Sequence, residues 1–127
     1  MMRSSPPRKH RQAAWFRGQA AETVAATSLQ LKGYRILARQ YRTPVGEIDI
    51  VARRGGTVAF IEVKARATEQ LALESIGAKQ RRRIMRAAEA FIQSNNRVSD
   101  CEIRFDAILV TPWRWPIHLK DAWQNDS

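Results

Sequence analysis

The chain has 127 residues, 44% apolar and 27% charged, which is one domain's worth of folding sequence and excludes a disordered chain. One cysteine excludes an intramolecular disulfide framework and a zinc site built from several cysteines, and Cys101 reads as a buried or partly buried thiol of a reducing, cytoplasmic protein. No apolar run approaches the ~18 residues of a membrane span, and the net charge of +10 points to nucleic acid, an anionic surface or an acidic protein as partner.

That charge is spread as +4 over residues 1–16, +5 over 17–66, +2 over 67–100 and −1 over 101–127, so it belongs to the folded body and not to a tail alone. Residues 1–12 read as a mobile, proline-containing basic arm. No apolar stretch of roughly 7–15 residues follows it, as a secretory signal requires. Residues 13–120 read as a single domain and 121–127 as a C-terminal tail.

The first element is a helix over 14–32, with Ala20, Ala21, Val24, Ser28 and Leu31 on one face and Gly33 as its stop. Strands follow at 34–41, 47–53 and 57–65, joined by Thr43-Pro44-Val45-Gly46 and by the hairpin pair Gly55-Gly56. A strong amphipathic helix spans 78–94, with Ile84, Met85, Ala88, Phe91 and Ile92 on one face. A fourth strand covers 102–110, and the proline- and tryptophan-rich end reads as irregular. The order α-β-β-β-α-β defines an α/β layer, a mixed sheet flanked by helices.

Centring the hairpin on Gly55-Gly56 sets Asp49 opposite Glu62 and Glu47 opposite Lys64, all on one face. Ile48, Ile50, Ala52, Ala59, Ile61 and Val63 make the other face purely apolar, which pins the register. A solvated strand face accounts for a Glu47–Lys64 surface pair of little worth. It does not account for two carboxylates facing each other. A divalent cation does: Mg²⁺ or Mn²⁺ on Asp49 and Glu62, with the Val63 carbonyl as a third ligand. Lys64, one pleat along, would then orient or deprotonate an attacking water or stabilise a pentavalent phosphate.

The string Gly46-Glu47-Ile48-Asp49-Ile50-Val51-Ala52, followed by Ala59-Phe60-Ile61-Glu62-Val63-Lys64-Ala65-Arg66, resembles the PD-(D/E)xK nuclease signature. More narrowly it resembles the bacterial family typified by YraN. Gly33-Tyr34-Arg35-Ile36-Leu37, Lys79 and Arg104-Phe105-Asp106 extend the likeness over about residues 17–120. The resemblance implies a restriction endonuclease-like core similar to archaeal-type Holliday junction resolvases. Asp49 and Glu62 would bind Mg²⁺, Lys64 would be the catalytic lysine, and Glu22 would be the helix glutamate near the metal, although the helical wheel sets it well off the apolar stripe. By analogy the substrate is branched or structured DNA, and the enzyme is a homodimer, because a junction needs two cuts. The basic arm and the Trp-rich end depart from the family pattern.

Lys79, Arg82 and Arg86 lie opposite the apolar stripe of the second helix and read as phosphate contacts or as a solvated face. Arg66 joins them as a phosphate contact if its strand persists, and Arg42 is a weaker candidate. His10 and His118 are too isolated for a metal site, and Asp106 reads as a structural hydrogen-bond acceptor. Trp113, Trp115 and Trp123 would stack bases, or, more commonly for such residues, close a core edge or a dimer contact. The reading is therefore a Mg²⁺-dependent hydrolase of DNA phosphodiesters. The alternatives are a non-catalytic DNA-binding module of the same fold and a protein adaptor using the Trp-rich end.

Overall fold

Gly55 takes a φ of 60° in the two-residue turn it forms with Gly56, where a side chain would be strained. The computed structural model describes residues 8–68, 70, 72 and 75–123, with side chains from Ala20 onward. Helix α1 (Arg8–Leu31) leads into strands β1 (Arg35–Thr43), β2 (Gly46–Arg54) and β3 (Thr57–Ala65). Helix α2 (Ala78–Ser94), a short 3₁₀ turn at Asn96–Val98, β4 (Glu102–Val110) and β5 (Ile117–Trp123) complete it. One five-stranded sheet runs in the order β1-β2-β3-β4-β5. Only β3 and β4 pair in parallel, and the chain between them crosses over through α2. The architecture is a mixed α/β sheet flanked by two helices, consistent with a restriction endonuclease-like core.

Both faces of the sheet are covered, so its central strands are apolar on both sides. Ile50, Ala52, Ala59 and Ile61 pack with Ala25, Ala26 and Leu29 of α1. Val51, Val58 and Phe60 pack with Ile84, Ala87, Ala88 and Phe91 of α2, as the amphipathic pattern of that helix requires. The expectation for α1 is corrected. Ala20, Val24 and Leu31 are exposed, whereas Ala21, Glu22, Ala25, Ala26, Ser28 and Leu29 are buried. The wheel follows the larger apolar side chains, but small alanines are what let a helix lie close on a sheet. This rotation brings Glu22 to the buried side.

The hairpin expectation is corrected as well. The β2–β3 register is the expected one from Arg54↔Thr57 to Ile50↔Ile61, and there the pairing ends. Beyond that rung Glu47 and Ile48 pair with β1, while Glu62 and Lys64 pair with β4. The strands fork at the two acids instead of carrying them on opposed rungs. Gln40, between the Arg39↔Ile50 and Tyr41↔Ile48 rungs, has a φ of 50°. At this break alternation fails too: Ile48 belongs to the α2 cluster and Ile50 to the α1 cluster.

Three further differences concern the ends. Helix α1 begins at Arg8, so residues 8–12 of the expected arm have helical backbone, and residues 1–7, like 124–127 of the expected tail, lie outside the described residues. Strand β3 stops at Ala65, so Arg66 does not share its face. The C-terminal stretch read as irregular contains β5, because a polar run with His118, Lys120 and Asp121 hides an edge strand. Among the described residues no helix is long and apolar enough to cross a membrane.

Gly46 starts β2 against the backbone of α2, and a Cβ there would run into the Arg83 carbonyl. Gly46→Ala is therefore expected to cost about 1–3 kcal/mol by overpacking, a Tm decrease of several degrees in a thermal melt. Gly56→Ala, where a Cβ meets nothing within 4 Å, is the control with little change.

Candidate active site

The fork between β2 and β3 releases the Val63 N–H from the β2–β3 ladder, and it donates to Asp49 Oδ2 at 2.8 Å. Asp49 is thereby fixed beside Glu62, which is almost fully buried. Burial, the Glu62 charge and a hydrogen bond shared with Glu62 push the Asp49 carboxyl up to about 8, against the pull of the Val63 N–H. The field of Glu22 acts in the same upward direction. Two carboxyls this close do not both ionise cheaply without a cation.

Glu62 Oε2 is met from two sides. Lys64 Nζ, two residues along the same strand, lies at 3.1 Å, and Gln80 Nε2 from the first turn of α2 donates at 3.2 Å. The Lys64 side chain is mostly buried, so the ammonium is held at the acid pair instead of roaming in solvent. Glu22 is buried under α1, with Oε1 accepting from Arg39 Nε at 2.8 Å and Oε2 from Gln40 Nε2 at 3.0 Å. A buried carboxylate requires such partners. The left-handed Gln40 backbone is what turns that amide toward α1 from a strand; backbone outliers of this kind gather at functional sites.

Of the residues singled out by sequence, the structure thus brings together Asp49, Glu62, Lys64 and the Val63 backbone, with Glu22 near enough to be felt electrostatically. Among the described residues no set of three or more His, Cys, Asp or Glu side chains is gathered as a metal site. Glu47 does not reach Lys64: it is exposed and sits 3.8 Å from Arg42. Lys79, Arg82 and Arg86 are exposed on α2, and its Gln80, not Lys79, is the residue bonded to the acid pair. Arg66 is exposed and its guanidinium turns back to the Ala65 carbonyl. Gln80, Arg39 and Gln40 were missed in the sequence; the one available signal was Gln80, a neutral residue in the cationic run Lys79–Arg83.

A second polar cluster is structural. Fully buried Asp106 accepts from the Arg104 guanidinium, from His118 Nε2 at 2.7 Å and from the Asp121 N–H at 2.9 Å. Burial acts to raise this carboxyl, but the three donors prevail and hold it below the usual carboxylate range. Arg104 continues to the Tyr34 hydroxyl at 2.7 Å, and Lys32 Nζ meets His118 Nδ1 at 2.8 Å. The cluster ties the end of α1 to β4 and β5, as the reading of Asp106 as a structural acceptor requires.

The fold and site define a mixed α/β protein with an acid pair and a lysine where two central strands part. Residues 21–110 match the sequence profile of Uncharacterised protein family UPF0102. A UPF0102 protein of Paramagnetospirillum magneticum is 50% identical over 98% of this chain and 100% of its own length. One of Mesorhizobium japonicum is 48% identical over 91% of this chain and 93% of its own, and one of Rhodopseudomonas palustris is 52% identical over 98% and 95%. The chain belongs to the UPF0102 family, the YraN-like family that its motifs resemble.

Proposed function

We propose that this chain is a Mg²⁺- or Mn²⁺-dependent endonuclease of the PD-(D/E)xK type, hydrolysing DNA phosphodiesters on branched or structured substrates. The observation that carries the reading is the Asp49–Glu62 pair with Lys64 Nζ 3.1 Å from Glu62. The residues fit a cation: the Asp49 carboxyl, pushed up to about 8 beside Glu62, keeps a proton that a divalent ion would replace. Asp49 and Glu62 would hold it, and the ion when bound would supply Lewis-acid stabilisation of phosphate charge and an acidified water. Lys64 places a positive charge where the pentavalent phosphate gathers negative charge. The Val63 N–H fixes Asp49, Gln80 fixes Glu62, and Arg39 with Gln40 fix Glu22, whose field reaches Asp49. The exposed cations Lys79, Arg82 and Arg86 would hold the DNA backbone without reading its sequence. A cytoplasmic homodimer would supply the two cuts that a four-way junction needs.

The test is cleavage of four-way, flap, single-stranded and duplex DNA with Mg²⁺ or Mn²⁺, with Asp49→Asn and Glu62→Gln proteins beside the wild type. Cleavage lost in both variants with DNA binding retained supports the nuclease. Binding without cleavage, unchanged by either substitution, establishes the DNA-binding module instead.

A further inference from the structure

The three C-terminal tryptophans have different fates. Trp123 is buried and stacks on Phe105 at 5.9 Å, closing the core edge. Trp113 and Trp115 do the opposite, at 101% and 69% exposure. They stand on the loop 111–116 between β4 and β5, bracketed by Pro112 and Pro116, and Trp113 has a φ of 64°. Two large aromatic rings presented to water on a proline-stiffened turn, one on left-handed backbone, need a reason beyond packing.

The loop's position supplies one. Its two ends are anchored on a single rung: Leu109 pairs with Lys64 on one side and with Ile117 on the other. The Arg66 N–H also bonds the Val110 carbonyl at 3.2 Å. The loop therefore rises from the level of the lysine at the acid pair. Its charge supplies another. Arg114 stands between the two tryptophans in the chain, and residues 107–120 contain no acidic side chain. A second copy of this +10 chain would bring like charges together there, whereas nucleic acid would not.

We propose that Trp113 and Trp115 form a stacking platform for unpaired DNA bases beside the cleavage site, with Arg114 on the adjoining phosphate. The proposal rests on the nuclease reading for its location and deepens it to a substrate class: DNA with single-stranded character next to the scissile bond. Stacking of this kind tolerates any base, because every base has a π-face.

The test is binding of oligo(dT) in EDTA to the full chain carrying Asp49→Asn, so that turnover plays no part. Intrinsic fluorescence quenching and affinity are read together, with a blunt duplex in parallel. The expected result is quenching by oligo(dT). The Trp113→Ala/Trp115→Ala chain should lose that quenching, bind oligo(dT) about tenfold or more weaker, and hold the duplex within about twofold. Trp113→Phe/Trp115→Phe should recover most of the oligo(dT) affinity. Absence of quenching in the starting protein, unchanged oligo(dT) affinity in the alanine chain, or equal loss on both DNAs would overturn the platform. So would a dimer-to-monomer shift in sedimentation with DNA affinity intact. Failure of the nuclease reading is distinct: no wild-type cleavage of any DNA with Mg²⁺, while the oligo(dT) quenching persists.

Discussion

Lys64→Ala is expected to lower cleavage by about 10²- to 10⁴-fold at saturating DNA while leaving DNA affinity within about threefold. The ammonium lies 3.1 Å from Glu62 Oε2, is mostly buried, and is the lysine that the structure holds at the acid pair. On the proposed mechanism its removal takes away a positive charge at the reacting phosphate, and it takes nothing from the exposed basic face of α2. The loss should therefore fall on kcat and not on Kd, since the interaction is made chiefly in the transition state. Lys64→Arg keeps charge but not shape, and should fall between. Cleavage within threefold of wild type for Lys64→Ala, with the fold intact by circular dichroism, would remove the lysine from the mechanism.

Metal-free Asp49→Asn should be more stable than wild type at pH 8, by up to about 5 kcal/mol and a Tm gain of roughly 10 °C or more. The Asp49 carboxyl stands at about 8 in the folded chain against 3.8 when free. Between those values the folded chain keeps a proton that the unfolded chain releases, so stability falls as pH rises through the window. The deficit is complete above about 8 and absent below about 4, where both states are protonated. Asparagine carries no charge to be strained, and its amide oxygen still accepts the Val63 N–H. Thermal melts in EDTA should show the two proteins converging near pH 4 and parting by pH 8. Mg²⁺ should then raise the wild-type Tm and leave the variant unmoved. Parallel pH profiles would mean that Asp49 is not strained.

The architecture was legible because its strongest signals are local. The α2 stripe of Ile84, Ala88 and Phe91, the Gly55-Gly56 turn and the runs at 57–65 and 102–110 each announce one element, and each forms at those bounds. Asp49, Glu62 and Lys64 were legible for the same reason: two short strands carry them with fixed spacing. What was hidden depends on distant partners. Pairing of β2 with β3 ends at Ile50↔Ile61 while β1 continues along the far edge of β2 and β4 along the far edge of β3, which no single hairpin reveals. The burial of Glu22 depends on which alanines α1 lays on the sheet. Gln40 and Gln80 are ordinary polar residues until the fold brings their amides to Glu22 and Glu62. His118 looks isolated in sequence because Asp106 and Lys32 reach it only across strands and through α1.

The proposed nuclease requires the acid pair where β2 and β3 part to hold a divalent cation. Calorimetric titration of Mg²⁺ or Mn²⁺ into the metal-free protein near pH 7, repeated in buffers of different ionisation enthalpy, measures both the ion bound and the protons displaced. The expected result is one ion per chain with about one proton released, because the cation replaces the proton held by Asp49, and loss of both signals in Asp49→Asn and Glu62→Gln. No binding at millimolar metal, or binding with the same heat and proton count in both variants, would contradict it.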